Sequence, residues 1–156
     1  MIQRLDADDA ALLRDVRLRA LRADPDAFGS TLDRELPLDA AAWRERVTGS
    51  AWFLSHPLGL VCGAVEEPSR VALSGLWVSP TARGTGQARR LVSAVEDWAV
   101  AQGATAVVAR VFDDNAAATA LWTSLGFVAD DVTVVSRRDP TRTWRAWSRP
   151  LPALSA

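Results

Sequence analysis

The stretch that most constrains this 156-residue chain starts as an apolar segment at residues 71 to 78. It passes through a turn of small side chains and enters an amphipathic helix near Gly86. The helix pattern sets Ala88, Leu91, Val92, Val95, Trp98 and Ala99 on one stripe, with Gly103 as terminator. Gly84 and Gly86 let the backbone come close to a ligand, while the first amides of the helix lack partners within it and point outward together. The helix dipole adds partial positive charge there, and Arg83, Arg89 and Arg90 add full charges. Such a turn wraps an anion, and a phosphate-bearing cofactor suits it.

The spelling narrows the choice. A nucleoside-triphosphate loop needs G-x-x-x-x-G-K-[ST], and the chain contains no lysine. A dinucleotide fingerprint needs G-x-G-x-x-G, and Arg89 stands where the third glycine would be. What remains is Arg83-x-x-Gly86-x-Ala88 preceded by Val78-x-Pro80. A second element follows: Asn115-x-x-Ala118-x-x-Leu121-Trp122-x-x-x-Gly126-Phe127. Physically, Asn115 is an N-cap, Ala118, Leu121, Trp122 and Leu125 form one apolar face, and Gly126 ends the helix. Together the two elements resemble the acyl-CoA loop and the N-x-x-A-x-x-L-Y-x-x-x-G-F signature of the GNAT superfamily of N-acetyltransferases. The likeness is specific over about residues 70 to 128, and it has one departure, since tryptophan stands at position 122 where tyrosine is usual.

Length and composition bound the rest. A chain of this size fits one domain, here residues 1 to 156, and buries about 70% of its unfolded surface. Eighteen basic residues, all arginine, balance nineteen acidic ones, so no broad basic field argues for nucleic acid. With no lysine and no tyrosine, neither can serve in catalysis. Cys62 is alone in an apolar run and reads as a core thiol; His56 is alone beside Pro57 and reads as a turn residue; no zinc site can be assembled from them, and no metal is expected. The opening residues lack a signal-peptide core and no apolar run reaches membrane-spanning length, so a cytoplasmic protein with no membrane contact is expected.

Periodicity places the remaining elements. A short strand at 2 to 5 precedes a helix capped by Asp6 or Asp8, with Leu12, Leu13, Val16 and Ala20 inward and Pro25 as its stop. Residues 24 to 37 form a loop or broken helix, and a second helix covers about 38 to 47. Strands follow at 51 to 55, 58 to 66 and 70 to 78, the last two joined by a turn at 66 to 69. After the helix at 86 to 102 come a strand at 105 to 112, the motif helix at 115 to 125, and strands at 127 to 136 and 143 to 151. The expected fold is mixed α/β, with about four helices and about seven strands in a mostly antiparallel sheet. The order resembles the GNAT fold, which further implies a central parallel pair that splays apart.

The resemblance implies acetyl-CoA as co-substrate. Backbone groups of Leu76, Trp77 and Val78 would line the pantetheine, and amides from Arg83, Gly84, Thr85, Gly86, Gln87, Ala88 and Arg89 would hold the pyrophosphate, with side-chain identity mattering little at Thr85 and Gln87. Asn115, Ala118, Leu121 and Trp122 would form the other flank. The reaction implied is direct attack of a primary amine on the thioester, with a small-molecule acceptor. Two other readings stay open: an acyl-CoA-binding module without turnover, and a protein acetyltransferase, which needs an open groove between the early helices and the last hairpin.

The usual acid and base are both missing from their positions. Trp122 replaces the tyrosine acid, and Arg110 falls where some relatives place a glutamate base. Ser124, Asp113 and Glu35 are the candidate replacements, with Thr119, Asp33, Asp114, Glu66, Glu67 and water behind them. Without them the acceptor amine must have a low pKa or lose its proton through water. Phe28 and Arg110 are the candidate acceptor contacts. Arg110 would favour a carboxylate, unless it is tied up by Asp113 or Asp97. Trp43, Trp144 and Trp147 either line an aromatic pocket or pack as core, and an exposed tryptophan would suit a homodimer.

Overall fold

The computed structural model describes residues 1–56, 58–67 and 69–153. Positions 57, 68 and 154–156 of the expected domain lie outside the described residues, Pro68 of the expected 66 to 69 turn among them. Eight strands form one sheet: β1 (Ile2–Arg4), β2 (Ala51–Ser55), β3 (Gly59–Glu67), β4 (Arg70–Val78), β5 (Ala106–Phe112), β6 (Val128–Ala129), β7 (Val134–Val135) and β8 (Thr143–Pro150). The helices are α1 (Ala10–Ala23), α2 (Leu32–Glu35), α3 (Ala40–Gly49), α4 (Gln87–Ala101) and α5 (Ala116–Ser124). The spatial order is β1-β2-β3-β4-β5-β8-β6, with β7 also on β8. Every pairing is antiparallel except β4 with β5. No helix among the described residues is long and apolar enough to cross a membrane.

Alternation along the strands feeds two apolar layers. In β2, Ala51 and Phe53 face the layer under α4 and α5, while Trp52 and Leu54 face the layer under α1 and α3. In β3, Val61 joins the first layer and Leu60 and Cys62 the second. Burial raises the Cys62 thiol pKa and keeps it an uncharged core group. The stripe foreseen on α4 is buried as Leu91, Val92, Val95 and Ala99.

One expected strand is interrupted. The segment at 127 to 136 divides into β6 and β7, both paired with β8, and the register slips by two residues between Ala129↔Trp147 and Val134↔Trp144. Asp130 causes the break. Its amide donates to the Ala146 carbonyl at 2.7 Å and its carboxylate takes the Val132 amide, so the chain bulges outward before pairing resumes.

A second irregularity lies inside β4. Between Cys62↔Ser74 and Leu60↔Trp77 the register shifts by one residue, and Gly75 sits there at φ +64°. The bulge changes which side chains face which layer. Val71 and Leu73 share the α4/α5 side with Leu76 and Val78, whereas Trp77 turns to the α1 side. The left-handed backbone at Gly75 favours glycine, and an added Cβ there would lie a tight 3.2 Å from Arg17 Nη1.

The α1 layer holds a buried ion cluster. Glu35, 1% exposed, takes Arg17 Nε and Nη2 at 3.0 Å each and Arg46 Nη1 at 2.7 Å. Burial by itself would raise this carboxyl, but hydrogen bonds and charge from Arg17, Ser30 and Arg46 outweigh it and hold the pKa at about 2, down from the usual 4.5. A depressed folded-state pKa contributes stability above the unfolded value and loses it as pH falls toward the folded one. Glu35 is therefore expected to supply about 3 kcal/mol at neutral pH that disappears between roughly pH 4.5 and 2. Glu35→Gln should lower stability at pH 7 and flatten that acid limb in urea titrations; a limb unchanged by the substitution would refute the assignment.

Candidate functional site

The parallel pair holds for only four residue pairs, from Arg70↔Ala106 to Leu73↔Ala109. Past that point β4 stays on β3 and β5 stays on β8, through Trp77↔Leu60 and Val78↔Gly59 on one side and Val111↔Arg145 and Phe112↔Trp144 on the other. The facing edges at 74 to 78 and 110 to 112 thus have no strand partner, and a strand edge without a partner is a template for an extended ligand. A cleft of about 760 Å³ opens between them, a size common for small-molecule sites.

Beside the mouth of this cleft, β4 passes through a 3₁₀ turn at Pro80–Ala82 into α4. Gly84 and Gly86 take φ +78° and +81°. Among the described residues the amides of 83 to 89 donate to no protein acceptor, and the Gly86 carbonyl receives the Arg90 amide at 3.1 Å to begin the helix. The result is a row of free donors at a helix N-terminus.

The side chains around this loop are less free than the sequence suggests. Arg83 folds back, donating from Nε to the Val78 carbonyl at 3.0 Å and from Nη2 to Asp24 Oδ2 at 2.7 Å. The same Asp24 oxygen accepts the Trp77 indole N–H at 2.7 Å. The Arg83 charge stays beside the loop but is paired with Asp24. Arg90 reaches the Thr85 carbonyl at 3.2 Å and Thr85 Oγ1 donates to Ala82. Gln87 needs a larger correction, because its side chain matters. It is 4% exposed and accepts the Ser55 hydroxyl at 2.8 Å. Gly59 leaves room for that pair, since a Cβ there would overlap Ser55 Oγ.

Among the expected cofactor residues, Leu76, Trp77, Val78, Arg83 and Ala88 line the cleft on the β4/α4 side. Asn115, Ala118, Leu121 and Trp122 line it on the α5 side. Gly84, Thr85, Gly86, Gln87 and Arg89 do not line it and sit on the adjoining loop and first turn. Asn115 Oδ1 caps α5 by accepting the Ala118 amide at 3.1 Å. Trp122 is 4% exposed and meets Phe127 edge-on at 4.7 Å, which fixes its indole against the cleft wall.

None of the three candidate acid or base residues reaches the cleft. Glu35 is the hub of the buried cluster described above. Asp113 is held between the Thr143 hydroxyl and Arg145 Nε, each at 2.6 Å, and those bonds lower its pKa. The Ser124 hydroxyl donates to the Leu121 carbonyl at 2.7 Å, and that of Thr119 to Ala116 at 2.9 Å. Asp114 is gripped by Arg142 at 2.7 and 2.8 Å. In each case a local hydrogen bond or an arginine claims the group, which spacing along the chain does not reveal.

The acceptor candidates fare differently. Phe28, Arg110 and Trp144 line the cleft, whereas Trp43 is 1% exposed in the α1 layer and Trp147 packs, partly buried, against the α4/α5 layer, so the packing alternative holds for both. Arg110 is paired with neither Asp113 nor Asp97. Glu66 grips it with both oxygens, at 2.5 and 2.8 Å, and this bond lowers the Glu66 pKa.

Sequence reasoning missed Asp24, the only carboxylate lining the cleft among the described residues, because its partners lie 53 and 59 residues away. It also missed Gly75, which had a signal: an isolated glycine within a strand pattern marks a bulge. The turn after β7 was missed as well. There Ser136, Arg137 and Arg138 line the cleft, and Arg142 reaches across to the Asp26 carbonyl at 3.0 Å, stacking over Phe112 at 3.6 Å. The last hairpin is thus tied to the loop that follows α1.

A model of the acetyltransferase (GNAT) family matches residues 16–127. A mycothiol acetyltransferase of Kocuria rhizophila is 33% identical over 93 residues, covering 60% of this chain; the chain spans only 29% of that relative's length. An acetyltransferase of the GNAT family from Streptococcus pneumoniae superposes with a TM-score of 0.79 at 16% identity, covering 97% of this chain and 99% of the other. The structure of yncA from Salmonella typhimurium, solved with its cofactor acetyl-CoA, gives 0.75 at 21% identity over 100% and 96% of the two chains. At such identities the structural likeness speaks for the fold.

The Ser55–Gln87 bond ties the start of α4 to β2, and Gln87→Ala strands a buried hydroxyl. The expected loss is about 1–3 kcal/mol, visible as a lower urea midpoint at unchanged slope. An unmoved midpoint would show that the bond does not anchor the helix.

Proposed function

The chain belongs to the GNAT acetyltransferase family, and on that premise we propose that it transfers the acetyl group of acetyl-CoA to the amine of a small acceptor. The observation that carries this reading is the end of β4–β5 pairing at Leu73↔Ala109, next to the free amides of residues 83 to 89. The residues present fit the co-substrate. Those amides would hold its pyrophosphate, the unpartnered β4 edge at Leu76 and Val78 its pantetheine amides, and Asn115, Ala118, Leu121 and Trp122 its other side. When bound, acetyl-CoA supplies an activated thioester carbonyl.

The chain's own part is binding and orientation more than proton transfer. Asp24, the sole carboxylate lining the cleft among the described residues, already accepts from Arg83 and Trp77 on one oxygen. Trp122 presents an indole, which is no practical acid. Deprotonating a lysine-like amine at pH 7 costs roughly 4–5 kcal/mol and an α-amino-like group about 1, whereas a departing thiolate lacks its proton by only about 2. The missing acid is therefore the smaller deficit, and an acceptor amine with a low pKa removes the larger one. A small acceptor is favoured over a peptide because Arg142 bridges the last hairpin to Asp26, across the groove that an extended chain would need.

Calorimetry should detect acetyl-CoA binding. Gly86→Val should weaken it severalfold or more, since a β-branched residue at φ +81° costs about 1–2 kcal/mol and its Cβ would crowd Arg90. Thiol release with an amine panel separates an enzyme from a pure acyl-CoA binder, which would bind but not turn over. No binding, together with an indifferent Gly86→Val, would end the proposal.

The pH dependence offers a separate check. With no free base in the cleft among the described residues, kcat/KM should rise with pH along a single limb that moves with the acceptor's own amine pKa. A limb fixed near pH 6 to 7 for every acceptor, and abolished by changing one carboxylate, would contradict this.

A further inference from the structure

Among the described residues, five ionisable side chains line the cleft: Asp24, Arg83, Arg110, Arg137 and Arg138. Asp24 pairs with Arg83 at 2.7 Å, and Glu66 grips Arg110 through both oxygens. Arg137 and Arg138 have no carboxylate partner among the described residues, and both are exposed on the turn between β7 and β8. Two uncompensated guanidiniums therefore overlook the cleft, from the hairpin that Arg142 ties to the loop after α1.

The layer beneath that loop adds to this charge. Arg17 and Arg46 share the one carboxylate of Glu35, which leaves the cluster one positive charge in excess. Arg17 is 8% exposed, and its Nη1 has no hydrogen-bond partner among the described residues. Its guanidinium lies 4.9 Å from the Phe28 ring centroid, and Nη1 sits 3.2 Å from the place a Cβ would occupy on Gly75; both Phe28 and Gly75 line the cleft. Low-dielectric walls concentrate such a field.

Resting on the acetyl-transfer reading, we propose that the acceptor bears a carboxylate as well as its amine, as a small amino acid does, and that Arg137 and Arg138 receive that carboxylate. A guanidinium offers paired N–H donors in the geometry of a carboxylate, and these two are not already engaged. The same cations disfavour an ammonium beside them and so favour the neutral, attacking form of the amine, in a cleft without a free base. They also exclude acceptors that carry several positive charges. The phosphates of acetyl-CoA have their own donors at residues 83 to 89, on the β4 side of the wedge rather than on the β8 hairpin.

The test uses the full chain with saturating acetyl-CoA, and each acceptor is supplied in three matched forms: the amino acid, its carboxamide, and the amine without the carboxylate. Thiol release should favour the acid over the carboxamide by about tenfold or more in kcat/KM. Arg137→Ala with Arg138→Ala should push that ratio toward one by raising the KM for the acids, while the acetyl-CoA Kd from calorimetry stays unchanged. The lysine pair should restore part of the preference. Equal use of the three forms would overturn the proposal, and so would a double variant that weakens acetyl-CoA binding without moving the ratio. Should acetyl-CoA bind and no amine turn over, calorimetry of the amino acids against the CoA-loaded protein decides. Binding that the double variant loses upholds the carboxylate site while the transfer reading falls; no binding overturns it. Failure to bind acetyl-CoA at all would overturn both.

Discussion

Four residue pairs join β4 to β5, and the site depends on their stopping after Leu73↔Ala109. The stop coincides with Gly75, whose left-handed backbone inserts an extra residue opposite β3 and resets the alternation of β4. Leu76 and Val78 then face the α4/α5 side, and Trp77 turns to α1, where Asp24 takes its indole N–H. Asp24 also takes Arg83, so one carboxylate fastens both the strand end and the loop that follows it. A wedge with unpartnered edges and a helix N-terminus with unpartnered amides result from the same local break.

Charge follows a comparable logic. Every cation on the side chains of this chain apart from its single histidine is a guanidinium, and most acidic groups near the cleft are already matched to one. Glu35 has Arg17 and Arg46, Glu66 has Arg110, Asp113 has Arg145 and Asp114 has Arg142. Carboxylates held in this way are poor bases, because the bonds that stabilise the anion lower its affinity for a proton. The same pairing leaves the cations of the last hairpin turn as the unmatched charges facing the cleft.

Much of the architecture was legible in advance. Periodicity located β4 and β8 nearly to the residue, and Asn115 and Gly126 marked the ends of α5, because these signals act within a few residues. The strand expected at 127 to 136 was broken by Asp130, whose side chain bonds its own neighbouring backbone more readily than it extends a ladder. The loop before α4 and the α5 wall of the cleft were readable because each is carried on contiguous residues. The acid and base candidates were misplaced because each was judged by residue type, while its fate was set by a partner elsewhere in the chain.

By itself, then, the sequence determined the order of strands and helices, the glycine turn with its free amides before α4 and the apolar faces that meet the sheet. All of these rest on forces between residues close in the chain. Only the tertiary structure decided that β4 and β5 part after Leu73↔Ala109, that Gln87 is an anchor for Ser55, and that Asp24 joins Trp77 and Arg83 across 53 and 59 residues. Those outcomes depend on which side chains meet in space, and burial and pairing then set the charge and reach of each group.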